Sequence, residues 1–273
     1  SYILLYLMKH YLEIYWAFFK TTIAVQFQYR ASMSIWMIGR VLEPVVYLVV
    51  WATVANARGG MVGDYNPEDF AAYYIVLMIV NQFTFTWVMH EYDYRIRQGA
   101  LSVLLLKPVH PIHSDIADNI SYKVLMSFIV FPTAILLYIL FDPNLLFHLQ
   151  TFALFLCALT IAFFMRFFIE WTLALIAFWT TRNEAINQMY FTLGLFLSGR
   201  IAPIELLPNL VQQIANILPF RWAVAFPVEL MLGRLSNEQI WHGFTMQGMW
   251  LVISLVLLKI VWRSGIKKYS AVG

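Results

Sequence analysis

The chain has 273 residues, of which 61% are hydrophobic and only 12% are charged. Soluble domains contain roughly 45–50% apolar and ~25% charged residues, so this composition excludes a soluble globular protein. The mean hydropathy of +0.70 over the whole chain indicates an all-α integral membrane protein that crosses the bilayer several times. The net charge is only +3, so the positions of the charges are more informative than their sum.

Residues 9–31 predict a helix that lies in the membrane interface. At 100° per residue, Lys9, Glu13 and Lys20 share one face, and aromatic side chains occupy the opposite face. A helix with one charged and one aromatic face favours the interface plane over a crossing. We therefore expect an N-terminal elbow helix before the first span. The sequence also lacks the ordered regions of a signal peptide, so we expect no removable signal peptide.

Six later segments are apolar and about as long as the ~20 residues that a crossing needs. They are 33–56, 69–90, 119–141, 151–180, 185–200 and 240–262. The fourth is longer than a crossing requires and the fifth is short, so five spans is the alternative. Ten Lys and Arg residues fall on the side of the N-terminus and four on the other side. Because cytoplasmic loops carry the excess of these residues, we expect both termini in the cytoplasm.

Two connections between the predicted spans are unusual. Residues 91–113 form a predicted cytoplasmic loop in which an apolar run is bounded by Arg95, Arg97 and Lys107. Such a run requires a partner or the membrane interface to cover it. Residues 201–239 are apolar but interrupted by four prolines, so we expect short external or re-entrant helices there.

Two closely spaced pairs of opposite charges fall inside predicted spans, where a charge is costly unless it is paired or hydrated. Arg166 and Glu170 are four residues apart and share a helical face. Arg40 and Glu43 are three apart on the first span. These residues indicate either a substrate or proton path, or ion pairs that hold helices together.

Polar and aromatic residues on the second and fifth spans are candidates for lining a pathway. They are Asn81, Gln82, Phe85 and Trp87 on the second span, and Asn187, Gln188 and Tyr190 on the fifth. Asn and Gln also join membrane helices by hydrogen bonds without any transport role, so both interpretations stay open.

The sequence lacks several motifs that would indicate an enzyme. It has no G-x-x-x-x-G-K-[ST] phosphate-binding loop, no H-E-x-x-H, no G-x-S-x-G and no pair of cysteines. His110, His113, Asp115 and Asp118 lie close together in sequence. A solvated loop explains them as well as a metal site does, and we expect no metal.

Two stretches are similar to the permease subunits of ATP-binding-cassette (ABC) exporters of the type-two export class. After the second span comes IRQGALSVLLLKPVHPI (96–112), in which a Gly precedes an apolar run and a basic-Pro pair. Before the last span comes SGRIAPIELLPNLVQQIANILPFRWAVAFPVELMLGRLS (198–236), with the LPF and late Gly of the family's Pro-rich external segment. The resemblance covers nearly the whole chain, and the subgroup most similar is that of daunorubicin-type and viologen-type export permeases.

The resemblance implies one transmembrane permease domain over residues 1–273, with no catalytic residue and no cofactor of its own. ATP and Mg²⁺ would bind to a separate ATPase, and a second permease chain, identical or not, would complete the pathway in a bacterial inner membrane. No nucleic-acid partner is implied. The coupling residues would be Arg95, Arg97, Gly99, Leu104, Lys107, Pro108, Arg182 and Glu184. Pro203, Pro208 and Pro219 would belong to an external gate.

The cargo and the class of transporter leave alternatives. An aromatic pathway favours a small amphipathic or cationic compound, although peptides and lipid-like molecules fit almost as well. A secondary transporter would use Glu170, Glu43 or Asp118 as proton carriers. A lipid-modifying membrane enzyme would use the His110–Asp118 cluster. A structural assembly factor is a third alternative.

Overall fold

The computed structural model describes residues 2–28, 30–145, 147–180 and 183–269, with the backbone alone for 2–11, 27, 30–37 and 40. Within these ranges the chain is helical apart from turns and one isolated bridge between Val62 and Tyr65, in agreement with the predicted all-α class. In chain order the helices are α1 (Tyr2–Gln28), α2 (Arg30–Ala57), α3 (Pro67–Thr84), α4 (Val88–Arg97), α5 (Leu101–Leu105), α6 (Pro111–Phe141), α7 (Leu149–Ala174), α8 (Glu184–Leu197), α9 (Asn209–Ile217), α10 (Pro219–Ala223), α11 (Ala225–Met231) and α12 (Asn237–Ile266).

Four helical segments in the described part of the chain are long and apolar enough to cross a membrane. They are α3 with α4 (Pro67–Arg97), α6, α7 with the 3-10 turn that follows it (Leu149–Phe178), and α12. They correspond to the second, third, fourth and sixth predicted spans. The apolar part of α2, Val41–Ala57, is shorter. The predicted count of six spans is therefore not confirmed.

The fifth predicted span, 185–200, corresponds to α8, which is too short to cross alone. Its 14 residues rise about 21 Å, against a hydrocarbon core of about 30 Å. After α8 the chain makes a turn at Ser198–Ile204 that is mostly buried. The Tyr73 hydroxyl donates to the Gly199 carbonyl at 2.8 Å, and Tyr74 and Trp51 both donate to the Ile201 carbonyl at 2.7 Å. These three donors satisfy carbonyl groups that have no helical partner.

Three of the four prolines in the 201–239 segment precede or begin a helix, and the fourth, Pro227, lies in the first turn of α11. Pro219 is the first residue of α10, Pro208 directly precedes α9, and Pro203 precedes a 3-10 turn at Ile204–Leu206. Proline suits these positions because its missing N–H has no helical partner there. The predicted short helices are present between α8 and α12, while their external position stays a prediction.

The N-terminal helix α1 runs along the first half of α6. The Tyr15 hydroxyl lies 2.9 Å from His113 Nδ1, and the Thr22 hydroxyl donates to the Asp118 carboxylate. The Lys107 ammonium lies 5.9 Å from the centre of the Phe18 ring. Helix α1 is thus attached to the bundle through α6, and its interfacial position is not confirmed.

The segment predicted as a loop at 91–113 is partly helical. Residues 91–97 belong to α4, in which Glu91 pairs with Arg95 and Asp93 with Arg97, each four residues apart. Gly99 adopts φ +70°, which ends the helix because a side chain there is strained. The non-helical connections are therefore only 98–100 and 106–110.

Helix α3 lies at the centre of the bundle. It contacts α2, α6, α7 and α11, and twelve of its 18 residues are buried. Its aromatic side chains pack with those of α2 and the following turn, as in the stack of Trp51 on Phe70 at 5.5 Å. A helix that is apolar on every side needs neighbours on every side. The central position of α3 therefore fixes the positions of the helices that pack around it.

Candidate functional site

The predicted pair Arg166–Glu170 is present and buried. On α7, Arg166 Nε donates to Glu170 Oε1 at 2.6 Å, and the exposed fractions of the two side chains are 10% and 0%. The Thr86 hydroxyl donates to the second Glu170 oxygen, and Arg166 Nη1 lies 3.5 Å from the Thr84 hydroxyl. The ion pair therefore joins α7 to the residues between α3 and α4.

Those residues, 85–87, break the second span without any proline or glycine. Phe85 has extended backbone angles, and Lys123 Nζ on α6 donates to its carbonyl oxygen at 2.7 Å. Backbone groups freed by a break at membrane depth require such partners. The sequence predicts an unbroken span at 69–90, because nothing local marks the break and its stabilising groups come from α6 and α7.

Lys123 is a site residue that the sequence analysis missed. Its side chain is buried, with the ammonium 4.5 Å from the centre of the Phe163 ring. A lysine five residues into the predicted third span was a sufficient signal, because an intramembrane charge indicates a site by default. Thr84 and Thr86 carried no comparable signal.

A cleft lies beside the ion pair, between α7, α8 and α10. Four polar residues line it, and the remaining walls are apolar. The polar residues are Arg166, Tyr190, Ser198 and Arg200. The space between the walls is about 410 Å³ including the open mouth, and about 20 Å³ of it is wide enough for a water molecule. This cleft contains one predicted pathway residue, Tyr190.

Glu43 pairs with an arginine in the turn that follows α8. Arg200 Nη2 lies 2.6 Å from each oxygen of the Glu43 carboxylate, so the pair connects α2 to the buried turn after α8. The side chain of Arg40, the partner suggested by sequence spacing, lies outside the described residues. A partner 157 positions away has no local sequence signal.

The other predicted pathway residues do not form one lining. Gln82 and Asn187 are buried, and each has one side-chain atom without a hydrogen-bond partner in the described structure, Nε2 and Oδ1 respectively. Asn81 is half-buried and Gln188 is exposed. Trp87 is 45% exposed, and its ring lies 4.5 Å from that of His90. Phe85 faces Arg166, with 5.5 Å between guanidinium and ring centre.

The predicted coupling residues divide into an inward and an outward group. Arg95 Nη1 donates to Asp115 at 2.6 Å and only 13% of its side chain is exposed. Arg95 therefore joins α4 to α6 and is not available to a partner. Leu104 is half-buried, whereas Lys107 and Pro108 are exposed.

The exposed side of α5 presents apolar side chains. Val103 is 62% exposed and Leu106 is 87% exposed. The helix is attached to the bundle by the buried Leu101 and by the Ser102 amide, which donates to the Tyr269 hydroxyl at 3.2 Å. Exposed apolar side chains on a fixed helix are typical of a contact surface.

A groove of about 470 Å³ lies between the end of α4 and the start of α8. Its lining residues are Asp93, Arg97, Asn183, Glu184, Ala185 and Gln188. The structure thus brings together Arg97 and Glu184 from the two predicted coupling segments. Arg182 lies outside the described residues. We call this groove and the exposed side of α5 the α5 surface.

Each residue of the His110–Asp118 cluster takes part in contacts between helices. His110 caps α6 and its ring lies 4.5 Å from that of Trp262, while burial lowers the pKa of its imidazole. Asp115 accepts hydrogen bonds from Arg95 and from Trp171 Nε1. His113 and Asp118 contact α1. No group of three metal-ligating side chains occurs among the described residues.

The predicted gate residues lie near a second buried charge that the sequence analysis missed. Pro203 and Pro219 are buried and Pro208 is exposed. Glu229 on α11 is 1% exposed and accepts a hydrogen bond from Arg221 at 3.2 Å. Burial raises the pKa of the Glu229 carboxyl, although the Arg221 charge opposes this. A glutamate within an apolar segment was its sequence signal.

Comparison with known protein families gives one match that covers most of the chain. The family model described as ABC-2 family transporter protein matches residues 41–273. A search of curated protein sequences returned no match. The matched range includes both stretches on which the resemblance was based, while the daunorubicin/viologen subgroup stays a prediction.

Proposed function

This chain belongs to the ABC-2 transporter family, and on that basis we propose that it is the permease subunit of an ABC exporter whose energy comes from a separate ATPase. The family is one of integral membrane transport subunits, which agrees with the four long apolar helices. The match over residues 41–273 is the observation that carries the proposal. The exported compound is amphipathic, and a second permease chain completes the pathway.

The α5 surface is the part of the chain that the ATPase contacts. Val103 on α5 and Leu106 directly after it are exposed, and α5 is fixed to the bundle, so a partner can move α5 without first having to order it. The adjacent groove supplies charged groups, Arg97 and Glu184. In this arrangement both termini and the α5 surface face the cytoplasm of a bacterial cell.

Helix α4 transmits the movement of α5 to the ion pair. It is a continuous helix of 10 residues that begins directly after the break 85–87, beside Arg166 and Glu170. The non-helical residues at the break allow α4 to tilt relative to α3 without bending either helix. Displacement of α5 by the ATPase therefore alters the packing around the buried charges and the cleft next to them.

The six-span arrangement follows from the same assignment. α1 is the interfacial elbow, α2 is the first span, and α8 is the first half of a fifth crossing that the buried turn at Ser198–Ile204 completes. The short helices α9–α11 then form an external gate. Hydrogen bonds from Tyr73, Tyr74 and Trp51 to the turn support this crossing, because irregular backbone at membrane depth must be covered by protein.

Co-purification of ATPase activity tests the proposal. The tagged chain is solubilised from its native membrane, and ATP hydrolysis is measured in the eluate. We expect activity with the natural chain and its loss in Leu106→Asp, because the side chain is 87% exposed and its replacement leaves the fold intact. Leu210→Asp on α9, at a side chain 68% exposed, is the matched control and retains the activity.

Two results would reject this assignment. One is an eluate of the natural chain without ATP hydrolysis above that of an untagged membrane preparation. The other is equal activity in the Leu106→Asp and natural preparations, which would place the ATPase contact away from α5.

A further inference from the structure

We propose that the cleft between α7, α8 and α10 binds the anionic, oxygen-rich headgroup of the exported amphiphile, an assignment that rests on the proposed transport function. The headgroup chemistry is that of a phosphate or carboxylate attached to an apolar tail. The proposal depends on the hydrogen-bonding groups of the cleft, the position of its carboxylates, and the apolar walls.

The polar groups that line the cleft are predominantly hydrogen-bond donors. Ser198 is 2% exposed, and its hydroxyl oxygen has no hydrogen-bond partner in the described structure. Arg200 Nε is also buried without a partner. Arg166 contributes a second guanidinium to the same lining. A guanidinium has donors only, and a hydroxyl also donates, so the complementary ligand group is an oxygen acceptor.

The carboxylates that neutralise these arginines lie outside the cleft lining. Glu170 and Glu43 accept hydrogen bonds from Arg166 and Arg200 at 2.6 Å, yet neither glutamate lines the cleft among the described residues. A ligand in the cleft therefore meets the two guanidinium groups before it meets their partners. Charge-assisted hydrogen bonds to phosphate or carboxylate oxygens are the strongest that arginine makes.

The remaining walls suit an apolar tail. They include Met165, Ile169, Phe191, Phe220 and Val224. Only about 20 Å³ of the cleft is wide enough for a water molecule, so the headgroup inserts one oxygen and its remaining atoms lie towards the open mouth. The tail then lies along the open mouth, between α8 and α10.

A cationic cargo in this cleft would have to approach the guanidinium groups of Arg166 and Arg200. The Phe85 ring, which could attract a cation, already faces the Arg166 guanidinium at 5.5 Å. The donors in the cleft would repel a cation. The structure thus favours the anionic class over the cationic class that the aromatic composition suggests.

Binding to the purified full-length chain in dodecyl maltoside tests the proposal without ATP or an ATPase. The probes are dodecyl phosphate and dodecyltrimethylammonium, which share a tail and differ in headgroup charge. Binding is followed by tryptophan fluorescence. We expect dodecyl phosphate to bind at least about tenfold more tightly than dodecyltrimethylammonium, because one charge-assisted hydrogen bond contributes about this factor in affinity. Equal binding, or tighter binding of the ammonium probe, would overturn the proposal.

Two conservative variants place the site in the cleft. Ser198→Ala removes the hydroxyl, and Arg200→Lys removes Nε but keeps a cation beside Glu43; each should weaken dodecyl phosphate binding about tenfold. Ser127→Ala, whose hydroxyl donates within its own helix, is the matched control and should bind as the natural chain does. Unfolding midpoints equal to that of the natural chain show that each variant is folded. Unchanged affinity in both cleft variants would refute the site.

Two comparisons identify the source of the headgroup and separate this proposal from the transport function. If dihexanoyl phosphatidic acid binds more tightly than dodecyl phosphate, the natural ligand is a diacyl lipid. If dodecyl phosphate binds more tightly, the natural ligand is a single-chain amphiphile. If an ATPase co-purifies but no phosphate probe binds, the headgroup assignment fails and the permease function stands. If the probe binds and no ATPase co-purifies, the cleft assignment stands and the permease function fails.

Discussion

Neutralising one member of the Arg166–Glu170 pair should be costly, whereas removing both should not. The Glu170 side chain is 0% exposed and that of Arg166 only 10%, so Glu170→Gln leaves a buried guanidinium without its counter-charge. Breaking a buried pair in this way costs about 3–5 kcal/mol, while replacing the whole pair by neutral groups is often close to neutral. The Arg166→Met/Glu170→Gln double variant should therefore be more stable than either single variant.

A double-mutant cycle measures this coupling directly. Unfolding is followed by tryptophan fluorescence during titration of mixed micelles with sodium dodecyl sulfate. The matched control is Arg97–Asp93, also four residues apart on a helix but with side chains 52% and 15% exposed, where a coupling of only about 0.2–1 kcal/mol is expected. A coupling at Arg166–Glu170 no larger than that of the control would refute the interpretation of a buried pair that holds α7 against the broken span.

Three further predictions concern substitutions of Gly265, Gly99 and Glu229. A Cβ at Gly265 would contact the Phe178 ring, so Gly265→Ala should destabilise the chain by about 1–3 kcal/mol in the same titration. Gly248→Ala on the same helix, where nothing lies within 4 Å, is its control and should not destabilise. Gly99→Ala, at φ +70°, should cost about 1–2 kcal/mol and lower the thermal unfolding midpoint. Burial raises the pKa of Glu229, so its contribution to stability is fully present below the ordinary pKa of about 4.3 and is lost as the pH rises through the raised value. The thermal unfolding midpoint of Glu229→Gln should therefore depend less on pH across this range than that of the natural chain. An unchanged pH dependence would contradict the assignment.

The features predicted well from sequence are those with a local physical signal. Long apolar segments located α6, α7 and α12, because composition over ~20 residues is enough to indicate a crossing. The spacing of Arg166 and Glu170 predicted their pairing, because residues four apart on a helix share a face. Clustered prolines correctly indicated short helices before α12.

The features missed depend on groups far away in the sequence. The break at 85–87 is stabilised by Lys123 and Glu170, and the partner of Glu43 is Arg200 on another element. Arg95 was predicted on the contact surface, yet Asp115 draws it into the bundle. The two partners of each pair are far apart in the sequence, so no local pattern predicts the pair. The pair depends on how the helices pack.

The most direct test of the permease function is a cysteine crosslink from the α5 surface to the ATPase. The chain has one cysteine, Cys157, and Leu106→Cys in a Cys157→Ser background provides a single reactive thiol. In native membranes, a short bifunctional reagent should join this thiol to a protein that photolabels with an azido-ATP probe, and Leu210→Cys should give no such product. A labelled product from Leu210→Cys and none from Leu106→Cys would contradict the account, since the ATPase would then contact the opposite end of the bundle.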